Sequence, residues 1–160
     1  TKQRGVDIMF AREVLLPAKG HLQIAAIKKD GSKTIVVDDR NLIVDNALNI
    51  LRKAISNTDY QLTHLVLGIN ASGTPLKSQT RLVEQVLAVP FSEIIYVGNN
   101  EVRFNIMVDY NVGNGIVFTE AGLSAENAPE GERLFAVKRH GGVMKNNELV
   151  LEYNWSIIFQ

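Results

Sequence analysis

Apolar and polar residues alternate with a period of two along much of the chain, the spacing at which one face of a β-strand is buried and the other is not. Leu22, Ile24 and Ala26 alternate with His21, Gln23 and Ala25, and Asp30-Gly31 then leads into Thr34 and Val36. Two such runs around an Asp-Gly turn predict a β-hairpin. Further strands are predicted over Leu62 to Ile69 and Ile94 to Val97, the latter turned by Gly98-Asn99-Asn100 into Val102 to Tyr110. Val117 to Leu123 and Leu134 to Arg139 follow. The chain closes with Leu149, Leu151, Tyr153, Trp155, Ile157 and Phe159 in alternation.

One segment keeps a different period. Within Asp45 to Ile55, Ala47, Ile50, Leu51, Ala54 and Ile55 fall at helical spacing, which predicts one short α-helix over about 45–56. Asp45 is placed to cap its N-terminus, and Arg52 and Lys53 suit the negative end of its dipole. Ala71 to Val89 has no clean period and reads as a connection, although Thr80 to Leu87 also fits a short helix. Residues 1–19 carry Val6, Ile8, Met9, Phe10, Val14, Leu15 and Leu16 without periodicity before Pro17 and Gly20. They read as an extended N-terminal arm, laid over its own core or over a neighbouring subunit. The expectation is a mainly β protein, a β-sandwich or barrel with one short helix, in which residues 20–160 form a single domain.

Composition narrows the function. A chain of 160 residues suffices for one domain that buries roughly 70% of its unfolded surface. Lys plus Arg and Asp plus Glu are both 17, so no net field draws the protein to nucleic acid or an anionic membrane. The absence of cysteine removes disulfides, thiolate metal sites and Cys nucleophiles together. Neither a signal-peptide pattern nor an apolar run of membrane-spanning length is present. Thr1 fits a start left by removal of an initiator Met, and the expected place of synthesis is the cytosol.

The search for chemistry is largely negative. His21, His64 and His140 are far apart and lack the spacings of metal-ligand motifs, so no metal or cofactor is expected. Ser72, Ser78, Ser92 and Ser124 lack a nucleophile elbow. Gly68 to Gly73 and Gly113-Asn114-Gly115 are turn sequences without phosphate-loop partners. Glu120 and Glu93 are candidates for paired acid/base work, but a carboxylate on a strand beside Thr and Gly more often accepts structural hydrogen bonds. Lys138, Arg139, His140 and Lys145 offer a short basic run for phosphate or an acidic partner, with a solvated rim the plainer alternative. Trp155, the only tryptophan, sits in the terminal alternation as a core anchor rather than a ligand platform.

Several segments, in this order, resemble tailed-bacteriophage virion structural proteins. Asn41-Leu42-Ile43-Val44-Asp45-Asn46-Ala47-Leu48 is similar to a strand-to-helix entry, and His64-Leu65-Val66-Leu67-Gly68 to the strand after it. Thr80-Arg81-Leu82-Val83-Glu84 resembles the following connection. Phe118 to Leu123 and Leu134 to Lys138 are similar to a pair of partner strands, and Trp155-Ser156-Ile157-Ile158-Phe159 to the C-terminal one. Where the pattern continues with an apolar strand after Lys138, this chain has Arg139-His140-Gly141-Gly142.

The resemblance covers roughly Gly20 to Phe159. It implies a jelly-roll-like β-sandwich without catalytic residues, most like a capsid cement or decoration protein. The implied partners are the major capsid protein and other copies of the chain, in a virion assembled in the host cytoplasm, with homo-oligomers expected and nucleic acid and membrane not. Met9, Phe10, Val14 and Leu15, flanked by Arg4 and Arg12, are the expected anchors of an inter-subunit tie. The acidic loop 125–132, with Glu126, Glu130 and Glu132, is the second candidate surface. A tail, collar or baseplate subunit is the alternative. A glycan-binding receptor module is a weaker one, since it requires exposed aromatics, and Phe104, Tyr110, Tyr153, Trp155 and Phe159 fall at inward positions while Tyr60, Phe91 and Tyr96 are unassigned.

Overall fold

A computed structural model describes residues 18–160. Nine strands run β1 (Ala18–Lys28), β2 (Lys33–Ile43), β3 (His64–Gly68), β4 (Gln85–Pro90), β5 (Glu93–Val97), β6 (Glu101–Val108), β7 (Ile116–Ser124), β8 (Leu134–Lys145) and β9 (Leu149–Phe159). They form one curled antiparallel sheet in the order β4-β3-β7-β8-β2-β1-β9-β6-β5. One α-helix lies among the described residues, α1 (Asn46–Ala54), followed by a single 3-10 turn at Thr58–Tyr60. The mainly β, sandwich-or-barrel architecture is therefore present as a half-barrel whose two halves face each other across the core.

The alternation in the terminal strands sets this core. On β9, Leu151, Tyr153, Trp155 and Ile157 are buried. Trp155 pairs with Leu22 of β1 and Phe104 of β6, and Tyr153 with Ile24 and Ile106. Three strands thus stack their inward residues in rows. Their outer face is polar: Asn105 donates to Glu152 at 3.1 Å and to Asn154 at 2.9 Å, and Lys33 meets Glu152 at 2.9 Å.

The halves join through β2, which pairs with β1 along Lys33–Asn41 and with β8 only at Leu42↔Val137 and Ile43↔Ala136. At this switch Asn41 sits across from Gly20, and its Oδ1 accepts the Trp155 indole N–H at 2.8 Å. A Cβ on Gly20 would fall 2.0 Å from that oxygen, so any side chain there must displace the Asn41 amide. At the other margin, β4 and β5 are the two edges of the sheet yet are separated only by Phe91-Ser92. So short a link holds the edges within about 11 Å at that corner. Phe91 stacks on Phe104 with ring centroids 4.6 Å apart.

Five expectations change. Asp45 makes no capping bond: its φ and ψ are already helical, and the first turn closes instead from Ala47 N to the Val44 carbonyl. A cap residue needs extended backbone to aim its oxygen at the free N–H groups. Ile55, assigned to the apolar helix face, lies past the last turn and is exposed. The connection 71–89 contains β4, a strand the periodicity misses because only Val89 in it is buried. β8 continues past Arg139-His140-Gly141-Gly142 to Lys145, paired with β7 across an irregular register between Phe118 and Glu120. Ala18 and Lys19, assigned to the arm, already pair with β9.

Gly20→Ala is expected to displace Asn41 and strip the indole N–H of its partner, lowering stability by about 1–3 kcal/mol. Urea unfolding followed by Trp155 fluorescence checks this, and an unchanged midpoint contradicts it.

Candidate functional site

The sheet closes at the Phe91-Ser92 corner and opens away from it. At the open end lies a cleft of about 880 Å³. Its floor is the end of the inner sheet face: Ile94 and Tyr96 of β5, Val102 and Phe104 of β6, Ile157 and Phe159 of β9. Its opposite wall is Ile50, Leu51 and Ala54 of α1 with Tyr60 and Leu62. These are core positions by register, since Ile94 pairs with Phe104 and Tyr96 with Val102. Yet Ile94 is 45% exposed and Tyr96 80%. Glu101, the only charged lining residue, is bound by Arg103 at 2.8 Å. Gln61, Asn99, Asn100 and Gln160 add a polar rim. An uncovered apolar floor with a polar margin is the signature of a surface that receives something. In the sequence, β5 is apolar on both faces (Ile94-Ile95-Tyr96), the one local sign of this site.

Arg4, Met9, Phe10, Arg12, Val14 and Leu15 lie outside the described residues. Of the acidic loop, Glu132 binds Lys53 at 2.6 Å and accepts from Asn49 at 2.9 Å, and Glu126 meets Arg133 at 3.3 Å. Both carboxylates hold the loop to its own chain. Glu130, at the exposed tip beside Pro129, has no ion pair among the described residues. The structure therefore brings no acidic triad together at this surface. The bonds from Lys53, and then from Asn49, hold the Glu132 carboxyl down at about 2, and the same pairing raises the Lys53 ammonium.

The other candidates separate. Glu93 is exposed on the edge strand β5, while Glu120 is buried on β7, in the other half of the sheet. Glu120 accepts the backbone N–H of Glu84 at 2.8 Å and of Val83 at 3.3 Å. It clamps the connection over the outer face of the sheet, where Leu82 packs on Val44, Val66, Leu134 and Val137. Gly68 makes room, because a Cβ there would stand 2.3 Å from the carboxylate. The basic run is also divided. Lys138 binds Asp39 at 2.7 Å, and Arg139 donates to the Ser72 carbonyl. His140 donates to or accepts from no carboxylate; its Nδ1 lies 2.7 Å from the Gly141 carbonyl, and burial lowers its pKa. Lys145 is not a rim residue: it is fully buried, with Nζ donating to Asn114 Oδ1 at 2.8 Å and the Asn146 carbonyl at 2.9 Å. His21 pairs with Asp38 and His64 with Thr63. Among the described residues no group of three His, Asp or Glu side chains is placed to hold a metal ion.

No family model matches the chain, and no curated protein or solved structure matches it either.

Two predictions follow from the carboxylates. Glu120→Ala leaves two covered N–H groups without an acceptor and is expected to cost about 3 kcal/mol, read as a lower urea midpoint with the fold retained. For Glu132, a carboxyl held below its unfolded value stabilises the protein above about pH 4.5 and loses that contribution as pH falls toward about 2. Glu132→Gln is therefore expected to lower stability at pH 7 and to converge with the parent chain in acid. A gap independent of pH contradicts the pairing.

Proposed function

We propose that this chain is a non-enzymatic structural subunit of a tailed-bacteriophage virion, and that it binds neighbouring major capsid subunits to reinforce the head shell. The observation that carries the proposal is the apolar end of an otherwise well-bonded β framework, where Ile94 and Tyr96 are exposed at inward positions among the described residues. The ordered resemblance from Gly20 to Phe159 supports the virion assignment. The commitment of Glu120, Glu126 and Glu132 to structural partners supports a binding role over acid/base chemistry. On this proposal many weak contacts add through repeated copies rather than through one tight site. The partners are the major capsid protein and further copies of the chain, assembled in the host cytoplasm. No helix among the described residues is long and apolar enough to cross a membrane.

One observation favours a second function. Tyr96, 80% exposed, stands beside Asn99, Asn100 and Gln61, and an aromatic plane with amide neighbours suits a sugar ring. A receptor-binding module would present such a group, and a tail or baseplate position would place it.

The test uses particles that lack the protein. The full chain is expected to bind them at many copies spread over the shell, and a chain starting at Ala18, where β1 begins, to bind about tenfold or more weakly. Density for the chain only at one vertex or along the tail moves it to the tail machinery. No particle binding removes the virion function, and undiminished binding by the shortened chain removes the arm from it.

A further inference from the structure

We propose that β5 is a dimerisation edge: two copies of the chain pair through this strand, antiparallel about a two-fold axis, with Ile95 opposite its own counterpart. The inference deepens the proposed function, which calls for further copies of the chain among its partners, by naming the contact between them.

The two edges of the sheet among the described residues, β4 and β5, differ in how they meet solvent. An edge strand that stays alone carries features that discourage pairing, such as proline, lysine or a bulge. β4 has two of them: Pro90, which lacks an N–H, and a register break opposite Gly68. β5 has none. It runs in unbroken register with β6, contains neither proline nor lysine, and holds one charge, Glu93, at the end beside the Phe91-Ser92 link. Both of its faces are apolar and open, with Ile94 45%, Ile95 36% and Tyr96 80% exposed.

Register selects a second copy as the occupant. Side chains that pair must point to the same face, so a strand that pairs antiparallel with its own copy centres on a residue and not between two. Centring on Ile95 is the one register that pairs all five residues of β5: Glu93 with Val97, Ile94 with Tyr96, and Ile95 with Ile95. The carboxylate then meets a valine instead of a second carboxylate. Ile94 with Tyr96 and Ile95 with Ile95 are aromatic and β-branched pairs, the kind that stabilises a ladder. Ile94 and Tyr96 share the inner face with Phe104 and Val102, so each copy's Tyr96 covers the other copy's Ile94 at the floor of the cleft. The formal net charge of zero leaves no long-range repulsion between copies. Five paired residues make a contact only about 17 Å long, short of the roughly 800 Å² per partner that a stable complex buries. The expected dimer is therefore weak, with Kd on the order of 10–100 µM.

Sedimentation equilibrium of the full chain, from about 1 µM to about 1 mM, is expected to show monomers passing into dimers. Ile95→Lys sets two ammonium groups opposite each other and is expected to weaken the dimer by about tenfold or more. Because the chain has no cysteine, a single introduced thiol reads the register. Directly opposed Cα atoms stand about 4.5–5.5 Å apart, within the reach of a disulfide, so mild oxidation of Ile95→Cys is expected to give a linked dimer. Glu93→Cys, about 14 Å from its counterpart in this register, gives none. Both residues are exposed, so both variants keep the fold. A full chain that stays monomeric at every concentration overturns the proposal and leaves the edge to residues 1–17 or to a different partner. Linkage of both cysteine variants alike overturns it too, as does a dimer that Ile95→Lys leaves at full strength. None of these readouts uses particles, so failure here is separable from failure of the virion function.

Discussion

The fold turns on the contact between Asn41, Gly20 and Trp155. β2 is the only strand shared by the two halves of the sheet, and only its last two residues pair with β8. Asn41 is the residue just before this switch. By accepting the indole N–H of the most central side chain in the core, it fixes where β2 leaves β1 and turns toward β8. The bond is possible only because Gly20 offers no Cβ. That bond ties β2 to the core of β9 at the place where β2 leaves β1 for β8.

The rest of the molecule shows why the end cleft alone stays open. The outer face of β3, β7 and β8 carries a small apolar cluster of its own, Val66, Leu134 and Val137, and the connection 70–84 meets it, drawn down by Leu82 and fixed by Glu120. A buried carboxylate is costly without partners, and this one has two backbone donors where they are most needed, on a segment with no ladder of its own. The opposite corner is closed by the short Phe91-Ser92 link, with Ser92 bonded to both Asn105 and Met107 of β6. At the free end of β5 there is no comparable device. Among the described residues its outer edge is unpaired, which is a standing invitation to another strand, and Ile94 and Tyr96 of its inner face are exposed.

Strands such as β1, β6 and β9 were legible because inward apolar residues recur at every second position, and burial on one face is what the alternation encodes. β4 was not, because an edge strand with one buried residue has no pattern to show. Asp45 has the right chemistry for a cap but the wrong backbone, and backbone at a strand-to-helix junction is set by the bonds of Val44 to Phe135 and Asp45 to Lys77, both far away in sequence. Lys145 is likewise unreadable locally: a lysine beside Asn146-Asn147 looks exposed until the 109–115 turn closes over it. Glu120 was legible, since its Thr and Gly neighbours leave room for backbone to approach. The cleft was not, because Ile94 and Tyr96 sit at ordinary inward positions. Their exposure follows from β5 being the last strand, a property of the sheet and not of the segment.

The charged groups singled out by the sequence are mostly engaged within the chain: Glu126, Glu132 and Lys138 in ion pairs, Glu120 and Lys145 in buried hydrogen bonds. Four buried polar atoms, Asn41 Nδ2, Arg139 Nε, His140 Nε2 and Tyr153 Oη, have no hydrogen-bond partner among the described residues, and apolar surface and strand edge are exposed at β5. Such surface gains free energy from any cover of suitable shape, at roughly 25 cal/mol per Å² of apolar area removed from water, and it demands geometry rather than chemistry of its partner.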